Sequence, residues 1–122
     1  MGSHPINLTL RFLLETAALV FVGIWGWTTA NNDFKYIQAI FIPIFMAILW
    51  GIFAVPGDPS RSGRAPVPIK GYARLILEIL FFGFASWCIF DTGRNILCVV
   101  IASLIVFHYI ISYDRIIWLF KH

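Results

Sequence analysis

Residues 10 to 16 read LRFLLET, and residues 73 to 79 echo them as ARLILEI. Both stretches place an arginine four residues before a glutamate inside a long apolar run. The runs are the decisive feature, because about 20 mostly apolar residues are needed to cross a hydrocarbon core of about 30 Å. The whole chain of 122 residues is 60% hydrophobic and only 12% charged, with a mean hydropathy of +0.84. A soluble domain carries about 25% charged residues. So few charges cannot cover the surface of a small water-soluble fold, so the surface is read as facing lipid.

Four segments pass the length test: residues 8–28, 36–55, 72–90 and 96–120. They show no period-2 alternation, and in lipid a non-barrel chain satisfies its backbone only as helix. Turn chemistry separates them in TANNDFK, PGDPSRSGRAPVPIKG and DTGRN. Met1 to His4, MGSH, reads as an expression-tag remnant, and no cleavable signal pattern precedes the first run. The expectation is an all-α integral membrane four-helix bundle: one transmembrane domain over residues 5–122, with a linker at 56–71. Arg11, Arg61, Arg64, Lys70, Arg74, Arg115 and Lys121 fall on one side of the membrane, and only Lys35 and Arg94 on the other. That asymmetry predicts cytoplasmic termini and a cytoplasmic linker. Trp25, Trp27 and Trp87, and on the other side Tyr72 and Trp118, fit interfacial belts.

Aligning Arg11 with Arg74 and Glu15 with Glu78 divides the chain into two helical hairpins related by an internal repeat. Repeats of two spans share an orientation, so their axis would lie along the membrane normal. Repeated use of one boundary device is the alternative. On a helix, residues four apart share a face, so Arg11 pairs with Glu15 and Arg74 with Glu78. Each arginine then snorkels towards the head groups while its glutamate favours the positive helix end. A sharper expectation comes from symmetry. If Glu15 and Glu78 converge inside the bundle, one of them holds a proton, and the pair could bind a cation or relay protons. His108, Ser112 and Arg115 recur at i, i+4 and i+7 and form a polar stripe that must face protein or water. An interhelical hydrogen bond from a satisfied histidine is the plainer role. The candidate polar site is therefore Glu15, Glu78, His108 and Arg115, with Arg11 and Arg74 as ion-pair partners. The Glu-x-x-His spacing of di-iron bundles is absent, so neither a metal nor a cofactor is expected.

Other features are packing devices first. Pro43 should kink the second span. Ala47 with Gly51, and Gly23 with Gly26, offer close helix contacts or self-association. Cys88 and Cys98 sit at similar depth, as buried thiols or as a disulfide. Asp58 and the basic residues after it could attract anionic head groups. No Walker motif, HExxH, GxSxG or CxxC occurs, and the basic residues are explained by topology, so nucleic-acid binding is not expected.

LRFLLE and then GIWGW, IPIFMAILWGIFAVPGDPSRSGRAPVP and ARLILEILFFG together resemble the YrdB-like family of small bacterial membrane proteins. The resemblance implies a four-span protein of the bacterial inner membrane and assigns no activity. Three functions fit these features. The first is binding or moving a small ligand, cation or proton through the polar site, in a homo-oligomer within the lipid bilayer. The second is an embedded enzyme or binder acting on a lipid, quinone or isoprenoid. The third is a structural or accessory subunit.

Overall fold

The computed structural model describes residues 5–29, 32–58 and 65–122. The tag remnant, Arg61 and Arg64 lie outside the described residues. The described residues are helical apart from one pair of two-residue strands, turns and short connections. Its elements are α1 (Pro5–Thr29), α2 (Phe34–Ile52), β1 (Phe53–Ala54), β2 (Val67–Pro68), α3 (Gly71–Asp91), α4 (Asn95–Ile111) and α5 (Tyr113–Phe120). Helices α1, α2 and α3 are each long and apolar enough to cross a membrane, and α4 with α5 passes the same test as a bent pair.

The inward faces obey helical periodicity. In α1 the buried stripe is Asn7, Arg11, Leu14, Ala18, Val22 and Gly26. In α3 it climbs from Gly71, Arg74 and Glu78 through Phe82 and Ala85 to Cys88. Both stripes are polar in their first turns and apolar above. The apolar parts meet with Met46 in one core. Arg11 reaches Glu78 near one end of the pair, and the Trp25 indole donates to Asp91 at 2.8 Å near the other. Helices α1 and α3 therefore run parallel.

Helix α2 buries only Met46 and exposes Ile37, Ile40, Phe41, Ile44, Phe45 and Ile48. It lies against α1 through Gly26, where a Cβ would come within 2.6 Å of the Gln38 backbone. The Gly23 and Gly26 face is thus used inside the chain. Pro43 stays within an unbroken helix, and the second span ends at Ile52, where β1 begins. Strand β1 pairs in parallel with β2, Phe53 opposite Val67. Cys88 and Cys98 are both free thiols.

The expected fourth span, 96–120, is two helices meeting at 68° across Ser112. Ser112, at the bend, and Arg115, beyond it, are buried, while Tyr113, Ile117 and Phe120 face outward. Gly71 permits the return, because a Cβ there would overlap the Leu119 carbonyl.

A methyl group at Gly26 must push two backbones apart, so Gly26→Ala should cost about 1–3 kcal/mol. Gly83, in the middle of α3, has open space where its Cβ would stand, and Gly83→Ala should be neutral or stabilising by about 0.5–1 kcal/mol. Thermal unfolding of the two variants in detergent checks the contrast.

Candidate functional site

Glu78 is the centre of the charged network, with none of its surface exposed. Arg115 grips it with both terminal nitrogens, Nη1 to Oε1 at 2.9 Å and Nη2 to Oε2 at 2.7 Å. Arg74 Nε donates to Oε2 at 2.9 Å from one turn earlier on the same helix. Arg11 approaches from α1, with Nη1 at 3.3 Å from Oε1 and Nη2 at 3.1 Å from Oε2. The Tyr109 hydroxyl on α4 donates to Oε1 at 2.7 Å. An ion buried alone would be costly by several kcal/mol, and geometry of this quality with added hydrogen bonds is what offsets that cost.

Two further carboxylates balance the remaining arginines. Asp58 accepts Arg115 Nε at 2.9 Å on Oδ1 and Arg115 Nη2 at 2.6 Å on Oδ2. It is delivered by a turn in which its amide donates to the Val55 carbonyl, and Gly57 supplies the positive φ of 79° that the turn needs. Glu15 takes Arg11 Nε at 3.1 Å and keeps 23% of its side chain exposed. Three guanidiniums thus face three carboxylates. Trp50 fills the gap between two of them: the Arg74 and Arg11 guanidiniums lie 4.3 Å and 5.0 Å from its ring centroid. Arg74 Nη1 also donates to the carbonyls of Trp50 and Phe53, both at 2.6 Å, satisfying the open end of α2.

The expected site residues are therefore brought together, in an arrangement different from a carboxylate pair. Glu15 and Glu78 do not share a proton between them, because Arg11 stands between the two and binds both. Each glutamate does meet its own helix's arginine, as the i, i+4 spacing requires. His108 sits beside the network, joined to α1 instead. Its Nδ1 lies 2.8 Å from Asn7 Oδ1, and Asn7 Nδ2 donates to Ser112 Oγ at 2.6 Å. The contact between Nδ1 and Oδ1 is a hydrogen bond in the tautomer that carries the proton on Nδ1. The other nitrogen, Nε2, is buried without a hydrogen-bond partner among the described residues. No group of three His, Cys, Asp or Glu residues is placed to hold a metal among the described residues.

Four members of the network lie beyond the reach of the sequence pattern. Asp58 reads there with the basic residues after it as a head-group attractor, and Trp50 only as part of the second apolar run and of the stretch that carries the family resemblance. Asn7 and Tyr109 carry no local signal, since only the third dimension brings them to His108 and Glu78. Tyr109 has a second face. It lines an apolar groove of about 710 Å³ between α3 and α4, together with Gly83, Ser86, Ala102, Tyr113 and Ile116.

Apolar helices joined by a buried ionic hub, with a lipid-like groove alongside, define a small helical protein suited to a membrane. The chain belongs to the family described as protein of unknown function (DUF2568), whose model matches residues 9–106. It is 43% identical over 116 residues to the uncharacterized protein YrdB of Bacillus subtilis (strain 168), a match that covers 95% of this chain and 94% of that one. The resemblance carried by the Arg-x3-Glu runs and the linker is thereby borne out. No solved structure matches it.

Removing the charge at the hub leaves guanidiniums buried without their counter-ion. Glu78→Gln should therefore destabilise by about 3–5 kcal/mol. Glu15→Gln, partly in solvent, should cost no more than about 1 kcal/mol. Denaturant titration of both variants in one detergent reads the difference, and equal losses would remove Glu78 from its central position.

Proposed function

We propose that this protein is a multi-pass protein of the bacterial inner membrane, with both termini cytoplasmic, that binds a membrane-soluble amphiphile in the α3/α4 groove. The observation that carries the proposal is the double role of Tyr109. It forms part of the groove wall and donates its hydroxyl proton in a hydrogen bond to the hub carboxylate. Ligand sites typically combine about 300–1,000 Å³ of apolar space with a few fixed polar groups, and the groove has that character. On α3 it runs from Leu75 to Ser86, a rise of about 16 Å at 1.5 Å per residue. That is about half of a 30 Å hydrocarbon core, the reach of a chain from a single leaflet.

The binding half of the first expected function is kept, and the cation half gains no support. A cation at Glu78 would have to enter among three guanidiniums that already use both carboxylate oxygens. Of the other functions that the sequence allows, the binder of a lipid, quinone or isoprenoid is the one that the groove favours.

Gly83 provides the test, because its Cβ position is open and it stands in the groove wall. Gly83→Leu should fold and fill the groove. Forcing a side chain into occupied space costs about 1–3 kcal/mol, so ligand retention should fall by about tenfold or more. Native mass spectrometry after detergent exchange measures the bound lipid. Ala47→Leu on exposed α2 is the control, and equal retention in both variants would refute the site.

A further inference from the structure

We infer that Asp58 stands in for an external anion. The fork of Arg115 is a binding site for a phosphate- or carboxylate-bearing head group, and the linker closes it by presenting its own carboxylate. The inference deepens the groove reading above and rests on it for the position of the ligand's chain.

Four observations carry it. First, Arg115 offers Asp58 the planar two-pronged geometry, Nε to Oδ1 and Nη2 to Oδ2, that guanidinium also uses for phosphates. Second, the three carboxylates of the network are mounted differently. Glu15 and Glu78 stand within α1 and α3, whereas Asp58 comes after a glycine turn beyond β1. Of the three, Asp58 alone is carried on a turn outside the helices. Third, Arg115 lies in α5 between Tyr113 and Ile116, which line one end of the groove, and it shares the Glu78 carboxylate with Tyr109. A chain in the groove brings its head group to the same end. Fourth, among the described residues the charges of the network balance at three against three while Asp58 is in place. Its departure leaves one guanidinium in excess, a deficit that an anion corrects and a zwitterion of zero net charge does not.

The experiment uses the full chain in detergent, titrated with phosphatidylglycerol and phosphatidylcholine of matched chains and read by native mass spectrometry. Asp58→Asn removes the resident charge and leaves Arg115 held by Glu78. It should raise the preference for phosphatidylglycerol by about tenfold, within the range measured for desolvated charge pairs. Adding Arg115→Lys, which keeps the charge and loses the fork, should abolish the gain. Inorganic phosphate is titrated against the bound lipid in Asp58→Asn. Displacement at millimolar concentration supports the anion site, and resistance at that concentration counts against it. An unchanged lipid preference in Asp58→Asn overturns the inference, and so does an equal gain in Asp114→Asn, which would reduce the effect to surface attraction. The two proposals fail separately. Loss of all lipid in Gly83→Leu with no effect of Asp58→Asn leaves the groove standing without the anion site. The reverse result leaves the anion site without the groove.

Discussion

A single buried carboxylate sets the terms for the rest of the molecule. Glu78 has no access to solvent, so its charge must be met by the protein or not met at all. Three arginines meet it, and they come from α1, α3 and α5, while α4 contributes the Tyr109 hydroxyl. Helix α2 is drawn in through the Trp50 ring and the carbonyls that Arg74 caps. Every helix therefore has a stake in one point. Guanidinium suits the task better than ammonium, because its planar donors can serve two carboxylates at once, as Arg115 does. The polar stripe of His108, Ser112 and Arg115 stays buried across the bend at Ser112, and Arg115 meets this carboxylate and Asp58 from the far side of it.

The two Arg-x3-Glu runs look equivalent in sequence and are put to unequal use. On α3, which packs against α1, α4 and α5, Glu78 faces the meeting point of the helices. On α1 the stripe that enters the interior carries Arg11 and Leu14, and Glu15 falls to its edge. One copy is a hub and the other a boundary pair. Whatever relates the two runs in sequence, the surroundings decide which glutamate is buried, and an offset of one position on the helix face is enough.

The helices were legible because their signal is compositional. Apolar runs of sufficient length, separated by Asn, Asp, Gly and Pro, need no tertiary information to be recognised. The pairing of Arg11 with Glu15 and of Arg74 with Glu78 was legible for a similar reason, being fixed by helical spacing. The joining of the two pairs was not. It depends on which faces of α1 and α3 meet, and the apolar residues on nearly all sides of these helices conceal that choice. The break at Ser112 showed in sequence only as Asp114 and Arg115 interrupting the fourth apolar run, which marks a place and gives no angle. Asp58 was the hardest to place, because a residue in a Gly/Pro-rich linker normally reads as solvated. Only the turn at Gly57 and the waiting fork of Arg115 bring it inside.

The hub and the groove divide the work in a way that bears on any activity. In the hub both oxygens of Glu78 are already bound, so a new cation would have to displace a guanidinium there. In the groove the walls are apolar and adaptable, and Gly83 leaves space that a larger residue would have filled. The two meet at the phenol of Tyr109, with its ring in one and its proton in the other. Displacing that ring would alter the donors around Glu78, and Glu78 shares Arg115 with the linker's Asp58. A continuous chain of strong contacts thus runs from the groove wall to the turn that carries Asp58. Charge-assisted bonds of this kind are short and strong, and of the three carboxylates they hold only Asp58 is carried on a turn outside the helices.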